Sequence, residues 1–456
     1  MSWSSILDLE ETYVSTSFHT PHVLIIGGGF GGLRTAQALA HSPVTVTVID
    51  RGGDHVFQPL LYQVAMGSLA EADITAPLAG VLARQKNARV VNGTVTDIDP
   101  AARNVTLADG ATLAYDTLVV ATGAGHHYFG HDEAWSALAP GLKTLDDAAH
   151  MRARIYDAFR QADATADLAE RAACQTFVIV GGGPTGVELA GALGELAHHT
   201  LRGEFHNCDT AESDILLIEG LDRVLSSYPA ELSAAAERSL DDLGVTVRTN
   251  TLVTEITDDY VRVRDATSDA ETIIPTLTVL WAAGVQASPL GDVLGRRAGA
   301  EQDRLGRVIV NADLTVPGHA NIFVIGDLAH VTDKKGDPLP GVAQVAMQQG
   351  DYVADLLRRL RFGRPIKPFH YRDRGRLAVI GRNAAVADIG RLEFAGFPAF
   401  MLWAAVHIYF LIEFDDKIAV MSKWGWRYLT RGKPWPLAAT APDAAEVTPI
   451  IAPTPA

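Results

Sequence analysis

Short apolar runs without polar alternation recur along the chain, and most are closed by glycine or by a carboxylate. His22-Val23-Leu24-Ile25-Ile26 runs into Gly27-Gly28-Gly29-Phe30-Gly31-Gly32 and then into a stretch with helical spacing over 33–40. Continuous apolar runs of this length predict strands covered on both faces, as in a parallel sheet. The order of strand, glycine turn and helix returns at Thr176-Phe177-Val178-Ile179-Val180, Gly181-Gly182-Gly183-Pro184-Thr185-Gly186 and a helix over 187–198. Each half continues through a β-rich segment, with a hairpin signal at Ala108-Asp109-Gly110-Ala111 in the first. Each ends on an apolar strand running into small residues, Leu118-Val119-Val120-Ala121-Thr122-Gly123 and Val279-Leu280-Trp281-Ala282-Ala283-Gly284. This self-similarity predicts an α/β fold with two Rossmann-like domains of one design. The first is expected over 20–143 and again over 296–390, the second over 144–295, with a short N-terminal extension over 1–20.

The glycine spacing carries a physical meaning. In a G-x-G-x-x-G turn the first glycine permits the tight bend, the second lets backbone approach a pyrophosphate, and the third allows close helix packing. Gly27, Gly29 and Gly32 hold these positions in the first half, and Gly181, Gly183 and Gly186 in the second. The following helix then points unpaired N–H groups and its positive end at the phosphates. The next apolar run, 44–49, ends on Asp50, where a carboxylate can accept hydrogen bonds from a ribose diol. In the second half the run 214–218 ends on Glu219, placed later by what reads as an inserted loop over 199–213. A carboxylate there repels a 2′-phosphate and favours NADH over NADPH. The plainer reading of both acids is a solvated strand end.

A third element, Ala320-Asn321-Ile322-Phe323-Val324-Ile325-Gly326-Asp327, ends on an acid that could meet ribityl or phosphate-linked hydroxyls of a flavin nucleotide. Pro340-Gly341 opens a helix through Val342, Ala343, Gln344, Val345, Ala346, Met347 and Gln348, whose first-turn amides could stabilise negative charge on a reduced ring. Gln344 and Gln348 lie four apart on one face, which suits either solvent or a cofactor.

With 456 residues, 48% hydrophobic and 20% charged, the chain can bury a core large enough for two or three domains. A net charge of -16 argues against nucleic acid as a partner. Cys174 and Cys208 fit neither a disulfide framework, a metal site nor a redox pair, so a reducing cytoplasm is expected. The first 20 residues lack the basic start and apolar run of a signal peptide. At the other end, 394–412 carries no Asp, Glu, Lys or Arg and reaches the roughly 18-residue length at which membrane insertion must be considered. Pro398 and His407 weaken that reading. Next come Lys417, Lys423, Arg427, Arg431 and Lys433 together with Trp424, Trp426, Tyr428 and Trp435. Lys423, Arg427 and Arg431 fall on one helical stripe and Ile418, Met421, Tyr428 and Leu429 on another, the pattern of a helix lying among lipid headgroups. A dimer interface or a buried core helix would produce the same apolar stripe. Residues 436–456, rich in Ala, Pro and Thr, read as a disordered tail.

At this point the chain resembles the type II, non-proton-pumping NADH:quinone oxidoreductases, a branch of the FAD-dependent pyridine nucleotide reductases. The resemblance covers about 20–430 and rests on the segment from Gly27 to Leu33, on Phe57-Gln58-Pro59-Leu60-Leu61-Tyr62-Gln63-Val64-Ala65, on the segment from Gly181 to Ala190 with Glu188, and on Ala343-Gln344-Val345-Ala346-Met347-Gln348. It implies a glutathione-reductase-like topology, non-covalent FAD, NADH as substrate and a membrane quinone as acceptor. The first lobe is then expected to bind FAD, with Gln58, Thr122, Gly123, Asp327 and Gln344 joining the first glycine turn and Asp50, and the second to bind NADH, with Gly284 joining the second turn and Glu219. The resemblance makes Gln344 and Gln348 shapers of a quinone pocket and Glu188 a link between the two substrates, although an acid expected in the first turn of a helix is stabilised there in any case. Where several relatives carry lysine, this chain has Arg374, which stays protonated and suits an electrostatic holder better than a proton donor. The same resemblance implies monotopic attachment at the cytoplasmic face of the membrane through 394–435, and a homodimer. Two other functions share the two lobes: a soluble-type NADH-dependent reductase of a protein or oxygen acceptor, and a membrane-attached redox sensor.

Overall fold

The computed structural model describes residues 19–361, 365, 367–411 and 414–429; the tail expected over 436–456, most of the N-terminal extension, and Arg431, Lys433 and Trp435 lie outside them. The first apolar run forms strand β1 (His22–Ile26), and the glycine turn leads into helix α1 (Phe30–Ala38). That helix begins earlier than its apolar spacing suggests because Gly31 and Gly32, which carry no hydrophobic signal, occupy its first turn. Strands β2 (Thr45–Asp50), β3 (Ala88–Asn92) and β4 (Thr117–Val120) follow, and β5 (Ala124–His126) crosses to the second lobe.

Helix α2 (Leu145–Ala164) opens on a capping box, in which the Thr144 hydroxyl accepts from the Asp147 N–H and the Asp147 carboxylate accepts from the Thr144 N–H. The second unit then runs β6 (Thr176–Val180), α3 (Pro184–Glu195), β7 (Asp214–Ile218), β8 (Val245–Arg248) and β9 (Thr278–Trp281). Strand β10 (Val285–Ala287) returns antiparallel to β5 and makes a two-stranded ribbon between the lobes. The chain re-enters the first lobe as β11 (Thr315–Val316) and β12 (His319–Val324), and α4 (Ala343–Arg361) crosses α1. The approach there is close, since a Cβ on Gly350 would lie 2.7 Å from the Gly31 carbonyl oxygen.

The first sheet has the order β11-β12-β4-β1-β2-β3, parallel except at β11, and the second the all-parallel order β8-β7-β6-β9. In both, the first strand of the unit sits inside with its partners on either side. This arrangement places a crevice at the strand ends where a dinucleotide can lie. The buried faces are those the apolar runs predicted: Val23, Leu24, Ile25, Phe177, Val178 and Ile179 are all essentially inaccessible.

Beyond α4, β13 (Arg376–Gly381), β14 (Ala384–Ile389) and β15 (Leu392–Ala395) form an antiparallel sheet. It packs on α3, where a Cβ on Gly191 would lie 1.6 Å from the Ile380 carbonyl oxygen, so only glycine permits the contact. Helices α5 (Phe397–Phe410) and α6 (Phe414–Leu429) complete the described chain. No helix among the described residues is long and apolar enough to cross a membrane.

The two terminal helices dock through polar as well as apolar contacts. Trp403 is buried and stacks on Trp424 at 5.1 Å, while the Trp424 indole N–H donates to Gln63 Oε1 at 2.8 Å and the Gln63 amide donates to the Tyr62 hydroxyl at 2.8 Å. Lys423, expected on an outward basic stripe, instead turns inward and pairs with Asp73 at 2.5 Å. Phe397, Met401, Tyr409, Ile418, Met421 and Trp426 remain exposed on the other side. Asp73→Ala would leave the Lys423 ammonium without its acceptor, a loss of about 2 kcal/mol for a charge-assisted hydrogen bond. The expected result is faster hydrogen exchange over 414–429 with exchange in the two parallel sheets unchanged; equal exchange in both proteins would show that the pair does not hold the helix.

Candidate functional site

The two glycine turns leave their sheets at the same register. The Gly27 N–H donates to the Ile49 carbonyl at 2.8 Å, and the Gly181 N–H to the Ile218 carbonyl at 2.8 Å. Both residues are left-handed, at φ 101 and 106, and a Cβ would lie 2.4 Å from the Ala121 oxygen in one and 2.8 Å from Ala283 Cα in the other. The third glycine of each motif lets the helix rest on the turn: a Cβ on Gly32 would sit 1.9 Å from the Gly27 oxygen, and on Gly186 1.8 Å from the Gly181 oxygen. The middle glycines, Gly29 and Gly183, face open space. Each is the N-cap of its helix and supplies no side-chain cap, so the first-turn N–H groups are presented to whatever enters that space.

The two acids occupy equivalent places. Asp50 accepts from the Gly28 N–H at 2.7 Å and from the Gly52 N–H at 2.9 Å; Glu219 accepts from the Gly182 N–H at 2.5 Å and from the Leu221 N–H at 2.8 Å. A carboxylate has about four acceptor sites, so each can hold its turn and still receive a ribose diol. Beside the first turn, the Thr122 hydroxyl is buried without a partner, and Gly123 follows it at φ 66. An orphaned hydroxyl beside an open, uncapped glycine turn fits a bound dinucleotide.

Asp327 follows β12 and lies against Gly341, whose Cβ would be 3.2 Å from the Asp327 carboxyl carbon. Burial pushes its pKa up, while Lys143 and Arg307 pull it back. Gln58 is exposed and donates to the Lys143 carbonyl at 3.2 Å, so the segment around Lys143 meets both Gln58 and the field at Asp327. The reading of the sequence overlooked Lys143. It also overlooked Gln349, which is 1% exposed and accepts the Gly326 N–H at 2.6 Å, steadying the turn that carries Asp327. The signal for Gln349 was available, since it lies four residues from both Val345 and Val353, the buried face of α4.

Gln344 and Gln348 are neither free amides nor a solvated face. Gln344 donates to the Gly375 carbonyl at 2.9 Å and accepts from the Arg374 N–H at 3.3 Å; Gln348 donates to the Arg372 carbonyl at 2.9 Å and accepts from the Arg372 N–H at 3.0 Å. Each side chain thus binds the backbone of 372–375 as a neighbouring strand would. Arg374 borders an open cavity of about 450 Å³ with Asp373, Arg376, Asp388 and Glu393.

Glu188 falls in the second turn of α3, because Pro184 starts the helix, so the dipole argument made for a first-turn acid does not apply to it. It is half-buried between α3 and β13. Burial pushes its pKa up to about 8, with the Val379 N–H hydrogen bond working against that shift. At neutral pH it is mostly protonated. At the start of α2, burial pushes Asp147 up, but His126 and the Lys143 and Thr144 N–H groups more than offset this and hold it at about 2. Gly284, at φ 69, closes the strand end beside the second turn.

The model of the pyridine nucleotide-disulphide oxidoreductases matches residues 21–350. The type II NADH:quinone oxidoreductase NdhA of Mycobacterium tuberculosis is 44% identical over 420 residues, 90% of this chain and 88% of the relative. The chain belongs to the type II NADH:quinone oxidoreductases. Ndh of the same organism, described in the same words, is 42% identical over 414 residues, 90% of this chain and 88% of its own. NDH2 of Plasmodium falciparum, solved in complex with NADH, shares the fold at a TM-score of 0.83, covering 91% of this chain and 99% of that one at 19% identity.

For this type II oxidoreductase the third glycines give a paired test. Gly32→Ala drives a methyl carbon into the Gly27 carbonyl and is expected to yield protein without the visible flavin bands. Gly186→Ala is expected to keep those bands, but NADH should no longer bleach them; flavin loss in that variant would reverse the assignment of the lobes. Glu188 gives a second test. Its folded pKa of about 8 lies above the ordinary 4.5, so the folded chain binds the proton more tightly. The associated stability is fully present below the ordinary value and is lost as pH rises through the folded one. Denaturant unfolding at pH 6 and pH 9 should therefore show a smaller loss of stability in Glu188→Gln than in the parent, and equal losses would contradict a buried neutral acid.

Proposed function

We propose that this protein oxidises NADH at its second lobe and passes two electrons, through FAD held in its first lobe, to a membrane quinone without pumping protons. The observation that carries this reading is the presence in one chain of two uncapped glycine turns at matching register, each with an acid tied to the N–H that follows its first glycine (Gly28 and Gly182) and joined by the β5–β10 ribbon. The acceptor follows from the relatives, whose names specify a quinone.

In this reading Gly27, Gly29 and Gly32 cradle the FAD pyrophosphate, Asp50 takes the ribose diol, Thr122, Gly123 and Gln58 line the approach, and Asp327 meets the ribityl hydroxyls. Gly181, Gly183, Gly186 and Gly284 receive NADH, and Glu219 repels a 2′-phosphate. FAD, bound non-covalently, supplies a group that accepts a hydride and gives up an electron pair. The N-terminal end of α4 offers positive potential to the charge that results. Gln344 and Gln348 act by holding 372–375 in place, which fixes Arg374 as a permanent positive charge near the acceptor. Glu188 stores a proton at neutral pH and links the two substrates.

The exposed apolar side of α5 and α6 attaches the protein to the cytoplasmic face of the membrane as a monotopic enzyme over 394–435, and in a homodimer part of that side is covered by the second copy. The deciding experiment is anaerobic stopped-flow of the FAD-loaded protein, reduced with NADH and then mixed with a short-chain quinone. Rapid return of the oxidised flavin absorbance is expected. A flavin that NADH reduces and quinone leaves reduced would overturn the acceptor and favour a protein acceptor or a sensor.

A further inference from the structure

Three residues beyond β5, Phe129 stands 58% exposed in the left-handed region at φ 53, a backbone state that aromatic residues seldom adopt. Its neighbour Tyr128 explains the turn outward. Tyr128 is buried, stacks on Trp281 at 4.9 Å, and donates its hydroxyl to the Ala139 carbonyl at 2.9 Å. The Trp281 indole N–H donates to the His127 carbonyl at 3.2 Å, so the residues before Phe129 are fixed to the end of β9. Phe129 itself touches only the rim of this cluster, with the His127 ring 4.7 Å away and Trp281 6.2 Å away. Below the ring is Gly284, where a Cβ would lie 2.9 Å from Phe129 Cζ and 3.0 Å from the His127 oxygen.

The sheet order says which part of a dinucleotide reaches this ring. Strand β6 carries the glycine turn, β7 on one side ends in Glu219, and β9 on the other ends beside Gly284. With the pyrophosphate at the turn and the adenosine ribose on Glu219, the nicotinamide half must run toward the β9 side. We propose that Phe129 is a contact residue for the nicotinamide-ribose half of NADH, presenting its ring over Gly284 as an apolar platform. This rests on the placement of NADH at the second lobe. The arrangement has a physical logic: a flat heteroaromatic ring gains from an aromatic face, and Gly284 leaves space where a side chain would collide with Phe129. Because the ring is largely exposed, its removal uncovers little core.

The test uses the full-length, FAD-loaded protein in steady state. Phe129→Ala is expected to raise the KM for NADH about ten-fold, the order seen when one base-stacking aromatic is removed. FAD content and quinone KM should not change, and Phe129→Tyr should restore the KM. The inhibition constant of ADP, which lacks the nicotinamide half, should be the same in all three proteins. An unchanged KM for NADH in Phe129→Ala would overturn the proposal, and so would a parallel weakening of ADP, which would make the ring a mere support of the turn. ADP that fails to compete with NADH in the parent protein, or that loses no potency in Glu219→Ala, would overturn the placement of the dinucleotide itself, and the inference with it.

Discussion

In each lobe a carboxylate at the end of one strand grips the backbone amide of a glycine turn at the end of its neighbour, Asp50 on Gly28 in the first and Glu219 on Gly182 in the second. This contact fixes the turn relative to the sheet, and the turn in turn aims the helix. Only the parallel pairing of the two strands brings acid and amide together, and only a glycine in the left-handed region lets the chain bend sharply enough to make the bond. In the proposed function the acid serves the fold and the ligand with the same two oxygens. Removing it would loosen the turn and, in that reading, the ribose contact as well.

The rest of the molecule is arranged to keep these two cradles in a constant relation. The β5–β10 ribbon ties the lobes at one edge. On the other, the antiparallel sheet β13–β15 leans on α3 through the backbone contact at Gly191, so a segment late in the chain is seated on the helix of the second cradle. The same sheet begins where Gln344 and Gln348 fasten 372–375, which connects it to α4 and the first cradle. Glu188 sits where these elements meet, on α3 and facing β13, and its raised pKa follows from being enclosed there without a cationic partner. Charge at this junction is thus set by packing between parts of the chain that are far apart in sequence.

The terminal helices show how an amphipathic pattern can mislead about individual residues. Periodicity placed Lys423 on a polar stripe, but the docked helix turns Lys423 onto Asp73 and Trp424 onto Gln63. A buried acid and a buried amide some 350 positions earlier were waiting for a cation and a donor, and nothing in the local spacing reports that. Ile418 and Met421, which the same periodicity placed on the apolar stripe, are exposed and available to a lipid surface or another chain.

By itself, the sequence determined the strands, the glycine turns, the two acids and their order, because each is a local instruction: an apolar run of fixed length, a residue that alone permits a backbone angle, a carboxylate one step past a strand. Even the displaced Glu219 was legible, since the extra loop over 199–213 changes the count without changing the strand that follows. What only the tertiary structure decided is what the side chains of the remaining site residues touch. Gln344 and Gln348 were visible as a pair, but their engagement with 372–375 depends on where a distant loop returns. Gln349 meets Gly326 and Gln58 meets Lys143 only when distant segments return to one place, Phe129 is set against Gly284 by the pairing of β5 with β10, and the acidity of Glu188 comes from a sheet that packs against it. Hydrogen bonds and burial between remote segments have no period to read, so they become known only when the chain has folded.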